Sequence, residues 1–199
     1  MVQITMKTKG TPKIAWTYHT DYFTLAQENW KRIQELKHEH DAIQAKFGDH
    51  NKVSDEVADQ LAAKNDEIGK LALIVLVFCA FTLEAYINDY AINRLSKGYL
   101  KNYLDKLELV AKWVVIPRLV NGKQLDPGSR PLQHLAWLVE LRNKLAHYKS
   151  KELALDQIGM ADFLWYEDAE RGVTAVKEAV LALERLDRKA KADWVRTEA

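Results

Sequence analysis

Leu71-Ala72-Leu73-Ile74-Val75-Leu76-Val77-Phe78-Cys79-Ala80-Phe81-Thr82-Leu83 is the longest apolar run in the chain, and Glu84, Asn88 and Asp89 follow it closely. The run is shorter than the roughly 18 to 20 residues that a bilayer-spanning helix needs. It reads as the buried core helix of a globular protein with no membrane partner. Upstream, Ser54 is a good N-cap followed by Asp55 and Glu56, and Gly69 is the one break in helical character before Ser96 and Gly98. The pattern predicts one long helix over 54–96, with Gly69 the place for a kink.

Toward the N-terminus, residues 1–20 lack helical periodicity and hold Gly10 and Pro12 among the β-formers Ile14, Trp16 and Tyr18. They predict an extended arm. Phe23, Trp30, Ile33, Leu36, Ile43 and Phe47 then recur at helical spacing, with Asp21 placed to cap and Gly48 to stop a helix over 21–47. Downstream, Leu100, Tyr103, Leu104, Leu107, Val110, Ala111 and Val114 predict a third helix over 99–115, interrupted by Pro117. The turn formers of 121–130 mark a loop, and further helices follow over 131–148 and 160–190. The expected fold is all-α, a bundle of about five helices with an N-terminal extended arm and an additional helix. One domain is expected, with 1–53 packed on the bundle formed by 54–199.

The composition, 48% hydrophobic and 29% charged, excludes a disordered chain. A net charge of +1 supplies no global attraction to nucleic acid, so any such binding must come from a local patch. The single Cys79 rules out an intramolecular disulfide and reads as a small core residue. The first residues carry no apolar signal-peptide core, which predicts a cytoplasmic protein. His38 and His40 stand about 200° apart on a helix and cannot face one ion, so no metal site is expected. Ser129 and Ser150 have no triad partners in view, and no Gly-rich phosphate loop occurs, so no cofactor is expected either. Trp30, Trp113, Trp137, Trp165 and Tyr166 read as core or interface anchors ahead of base-stacking platforms.

The helix over 131–148 holds the residues most suited to chemistry. Projection at about 100° per residue gathers Leu132, Leu135, Leu138, Val139, Leu145 and Ala146 into one stripe, and Arg142 falls near its middle. An unpaired buried guanidinium is prohibitively costly, so Arg142 needs a carboxylate, a shielded cleft or a second subunit. Glu84 is the candidate partner, being an acid among Val77, Ala80, Phe81, Ile87 and Ala91 on the long helix, with Asn88 one turn on as an auxiliary hydrogen-bonding group. His147 shares an edge with Asn143 but lies about 140° round from Arg142, so the two side chains converge only at the helix end or across a symmetry axis.

The run Arg142-Asn143-Lys144-Leu145-Ala146-His147 resembles the R-x4-6-H signature of HEPN domains (higher eukaryotes and prokaryotes nucleotide-binding). The stretches FTLEAYIN (81–88) and LVAKWVVIPRLVNGK (109–123) are similar to the same superfamily. The resemblance covers roughly 68–186. It implies a homodimeric helical bundle that, in catalytic members, cleaves RNA without a metal to 2′,3′-cyclic phosphate and 5′-hydroxyl ends. Carried onto this chain, His147 would act on the ribose 2′-hydroxyl proton or the leaving oxygen, Arg142 would stabilise charge on the phosphate, and Asn143 would orient the histidine or bond the phosphate. Lys144, Tyr148, Lys149 and Lys151, with the more distant Arg130, would contact RNA. Toxins of this kind that pair with a nucleotidyltransferase antitoxin carry an AMP-accepting tyrosine two residues after the histidine. Here that position is Lys149, with Tyr148 beside the histidine. Two functions follow: an endoribonuclease acting as toxin or defence effector, with an antitoxin or other protein partner; or a catalytically inert homodimeric scaffold or sensor in which Arg142 belongs to an ion-pair network.

Overall fold

The computed structural model describes residues 3–5, 13–15, 17–47, 54–147 and 164–197. Two three-residue strands, β1 (Gln3–Thr5) and β2 (Lys13–Ala15), pair antiparallel with Ile4 opposite Ile14. The extended arm thus folds back on itself. Six α-helices follow among the described residues: α1 (His19–Phe47), α2 (Asp55–Ile92), α3 (Lys97–Tyr99), α4 (Leu109–Asn121), α5 (Arg130–Ala146) and α6 (Tyr166–Leu186). The described chain is an all-α bundle apart from that small hairpin.

α2 is the hub. Its 38 residues run unbroken through Gly69, about 57 Å at 1.5 Å per residue, and α1, α4, α5 and α6 all pack on it. By length and composition it is apolar enough to cross a membrane. In the fold, however, Ala72, Val75, Leu76, Cys79, Leu83 and Ile87 are buried core. Burial also pushes the Cys79 thiol well above its ordinary pKa. α1 presents Phe23, Ala26, Ile33 and Leu36 to the same core, which is the face its spacing marks.

α6 lies against α2 and α5, and at Gly172 the packing leaves little room for a side chain. A Cβ there would stand 3.0 Å from Leu76 Cδ2 and 3.9 Å from both Cys79 Sγ and Leu138 Cδ1. Asp168 accepts the Trp165 backbone N–H at 3.0 Å, closing the first turn of α6.

Several boundaries differ from the sequence reading: α2 ends at Ile92 and not near 96, and α6 at Leu186 and not near 190. α1 starts at His19, so Asp21 sits in its first turn and favours the helix dipole instead of capping it. The third helix over 99–115 is in fact two pieces: α3 and a π-turn (Leu100–Leu104) first, then α4 after the turn at 105–108. Pro117 lies inside α4, which continues to Asn121 and ends with Gly122 in the left-handed region at φ 77°. Inside α4, Pro117 has no N–H to offer the Trp113 carbonyl, while the buried Trp113, Ile116 and Pro117 hold the segment on the core. The last helix is described from Tyr166; 160–163 of its expected span lie outside the described residues.

Candidate active site

Arg142, near the end of α5, reaches Glu84 on α2, with Nη2 3.8 Å from Oε2. The same carboxylate faces a second cation: Lys112 Nζ on α4 lies 3.9 Å from Glu84 Oε1 and donates to Asn88 Oδ1 at 3.3 Å. One acid therefore links three helices. The sequence reading names the Arg142–Glu84 contact, but two details are corrected. Glu84 is 42% exposed and Arg142 26%, so the pair sits at the rim of the core and not within it. Asn88 serves Lys112, not Arg142.

Lys112 is the residue that sequence reasoning misses. Its side chain is 5% exposed, the most deeply placed charge of the cluster. The signal is present in the pattern: Leu109, Lys112, Trp113, Ile116 and Pro117 are the buried face of α4, and the lysine falls on that stripe at helical spacing. A buried ammonium needs an anion or acceptors, and Glu84 with Asn88 supplies both. Arg142, by contrast, keeps a buried Nε with no hydrogen-bond partner, so its guanidinium is only partly engaged.

His147 stands just past α5 as its C-cap residue, exposed, with its backbone N–H bonded to the Asn143 carbonyl at 3.0 Å. Among the described residues its ring has no hydrogen-bond or ion-pair partner, and none joins it to Arg142 in the same chain. The two motif residues are neither sealed in the core nor brought together within one copy. Lys144 is exposed and tied to Glu140 at 2.8 Å, a pair that holds the Glu140 carboxyl below its usual pKa. Arg130 pairs with Glu178 at 3.1 Å, and the other oxygen of Glu178 lies 3.0 Å from His134 Nδ1, joining α5 to α6. Tyr148, Lys149 and Lys151 lie outside the described residues.

The aromatic side chains divide between core and surface. Trp113 is fully buried, Trp30 packs 4.7 Å from Tyr166, and Trp137 lies under the Arg171 guanidinium at 4.1 Å. A separate cavity of about 590 Å³ opens between the start of α1, the second half of α2 and the C-terminal segment. His19, Tyr86, Asp89 and Trp194 are among its walls, and none of the motif residues lines it.

No family model, no curated protein and no solved structure matches this chain.

Proposed function

We propose that the protein is a HEPN-type, metal-independent endoribonuclease working as a homodimer, with Arg142 and His147 as its reactive pair. The observation that supports this reading is the half-engaged state of Arg142. Glu84 orients its guanidinium at the rim of the core, one nitrogen remains unpaired, and an uncommitted His147 ends the same helix. The arginine side chain is 26% exposed, which leaves its guanidinium open to an anion at the rim.

In the proposed reaction the ribose 2′-oxygen bonds to the adjacent phosphorus as the bond from phosphorus to the 5′-oxygen breaks. His147 takes the 2′-hydroxyl proton, and the His147 of the second copy, protonated, gives one to the departing 5′-oxygen. Arg142 carries the charge that builds on the non-bridging oxygens. The products are a 2′,3′-cyclic phosphate and a 5′-hydroxyl. Such an activity suits a toxin or defence effector held in check by a protein partner.

A second reading has its own support. Glu84 bridging Arg142 and the buried Lys112 is also what a catalytically inert scaffold or sensor module would need to lock α2, α4 and α5 together. Incubation with RNA in EDTA, beside an Arg142→Ala/His147→Ala double variant, separates the two. The enzyme reading expects cleavage to cyclic-phosphate ends that the double variant loses. A folded protein that leaves varied RNAs intact would overturn the enzyme reading.

A further inference from the structure

α2 buries only part of its circumference. Leu73, Ile74, Phe81 and Ile92 are 42%, 37%, 39% and 46% exposed, and Val77 is half-buried between them. Helical projection puts Asp66, Lys70, Leu73, Val77, Phe81, Glu84 and Asn88 on one outward stripe within about 80°. Their steps of four, three, four, four, three and four residues are those of a helix–helix seam. Tyr22 of α1 flanks the stripe, with its ring 5.7 Å from Phe81.

The order of charges along the stripe identifies its occupant. Lys70 and Glu84 carry opposite signs and each stands seven residues from Val77, about 10.5 Å along the axis. An antiparallel copy related by a two-fold axis at Val77 would set Val77 on its own counterpart, Leu73 on Phe81, Lys70 on Glu84 and Asp66 on Asn88. Apolar residues meet apolar ones, and each charge meets its opposite or a polar group. A parallel copy would set Lys70 against Lys70 and Glu84 against Glu84. A lipid surface would have to take Glu84 and Lys70 into its hydrocarbon edge, at a cost of kilocalories per charge.

We infer that the exposed face of α2 is the seam of an antiparallel homodimer centred on Val77, in which Lys70 of each copy completes the Glu84–Arg142 cluster of the other. Lys70 is free to do so, being 72% exposed and held only by Asp66 on its own helix. Glu84 would then answer three cations, and Arg142 would be released further toward a phosphate. The link to RNA chemistry rests on the function proposed above; the seam itself does not.

Light scattering on the intact protein should give twice the chain mass. Val77→Cys, exposed to a mild oxidant without denaturant, should form a disulfide-linked dimer. Ile92→Cys should not, since it lies about 22 Å along the axis from the two-fold. The wild type is the control, because its single thiol, Cys79, is fully buried. Lys70→Glu, an exposed change that leaves the fold intact, should weaken the dimer about tenfold. A monomer at high micromolar concentration would overturn the proposal. So would a dimer that links through Ile92→Cys and not Val77→Cys, or a monomer that settles on phosphatidylcholine vesicles. A cross-linked dimer that spares RNA would remove the nuclease reading alone, and a dimer that cleaves RNA but does not link through Val77→Cys would remove the seam alone.

Discussion

Glu84 on α2 faces Arg142 on α5 across 3.8 Å while its other oxygen lies 3.9 Å from the buried Lys112. The acid is thus the common counter-charge for one cation at the rim and one in the core. The two cations differ in what they lose without it: Arg142 can turn to solvent, whereas Lys112 cannot. Glu84→Ala should lower the unfolding free energy by about 1–3 kcal/mol, mainly by stranding Lys112. Adding Lys112→Met should recover most of the loss, as urea midpoints of both singles and the double would show. Additive losses would show that Lys112 does not depend on Glu84.

His147 and Arg142 should part company in their effects on stability. His147→Ala removes an exposed ring without a partner among the described residues, so unfolding should change by no more than about 0.5 kcal/mol. RNA cleavage should nevertheless fall about a hundredfold or more. Arg142→Ala should cost both activity and about 1 kcal/mol of stability. Loss of folding in the His147 variant would mark that histidine as structural.

Gly172 sets the distance between α6 and its neighbours. Gly172→Leu would drive a side chain into Leu76, Cys79 and Leu138, all fully buried, and should cost about 1–3 kcal/mol or more. Calorimetry would register a melting temperature lower by several degrees. An unchanged melting temperature would show that α6 can slide away.

His19 gives the fold an acid-side weakness. Burial lowers its pKa below the ordinary 6.5, and Asp89 only partly offsets that. The unfolded chain therefore binds the proton first, so stability is full above 6.5 and falls as pH drops through the interval down to the folded value. In urea titrations between about pH 5 and 8, His19→Gln should flatten that slope. Thr17, Tyr86 and Trp194, which contact the ring, do not change charge in this range.

Helical spacing marks the buried faces of α1, α2, α5 and α6 because each is one apolar stripe read against a single core. Phe23, Ile33 and Leu36 are buried as their period predicts, and the same arithmetic finds Glu84 as the acid that Arg142 needs. The region from 97 to 121 is legible only in part. Local pattern there is helical throughout, yet the turn at 105–108 and the survival of Pro117 are decided by packing on α2, which periodicity does not contain. Lys112 escapes for a related reason: a lysine in an apolar run looks like a surface residue until a specific acid is seen across from it. The exposed side of α2 is hidden in the opposite sense, since an apolar helix gives no sign of which face its neighbours leave bare.

The C-terminal segment bears on the order in which the chain is built. Trp194 packs 4.9 Å from His19, 5.5 Å from Phe23 and 5.3 Å from Tyr86, and the Gln27 side chain donates to the Thr197 carbonyl across 170 residues. During synthesis α1 and α2 can zip together early, their contacts being close in sequence. The aromatic wall that they form stays unsealed until the last described turn leaves the ribosome. A released chain truncated before Trp194 would carry a nearly complete bundle with an open, sticky seam, and chaperone capture should be greater for it than for the full chain.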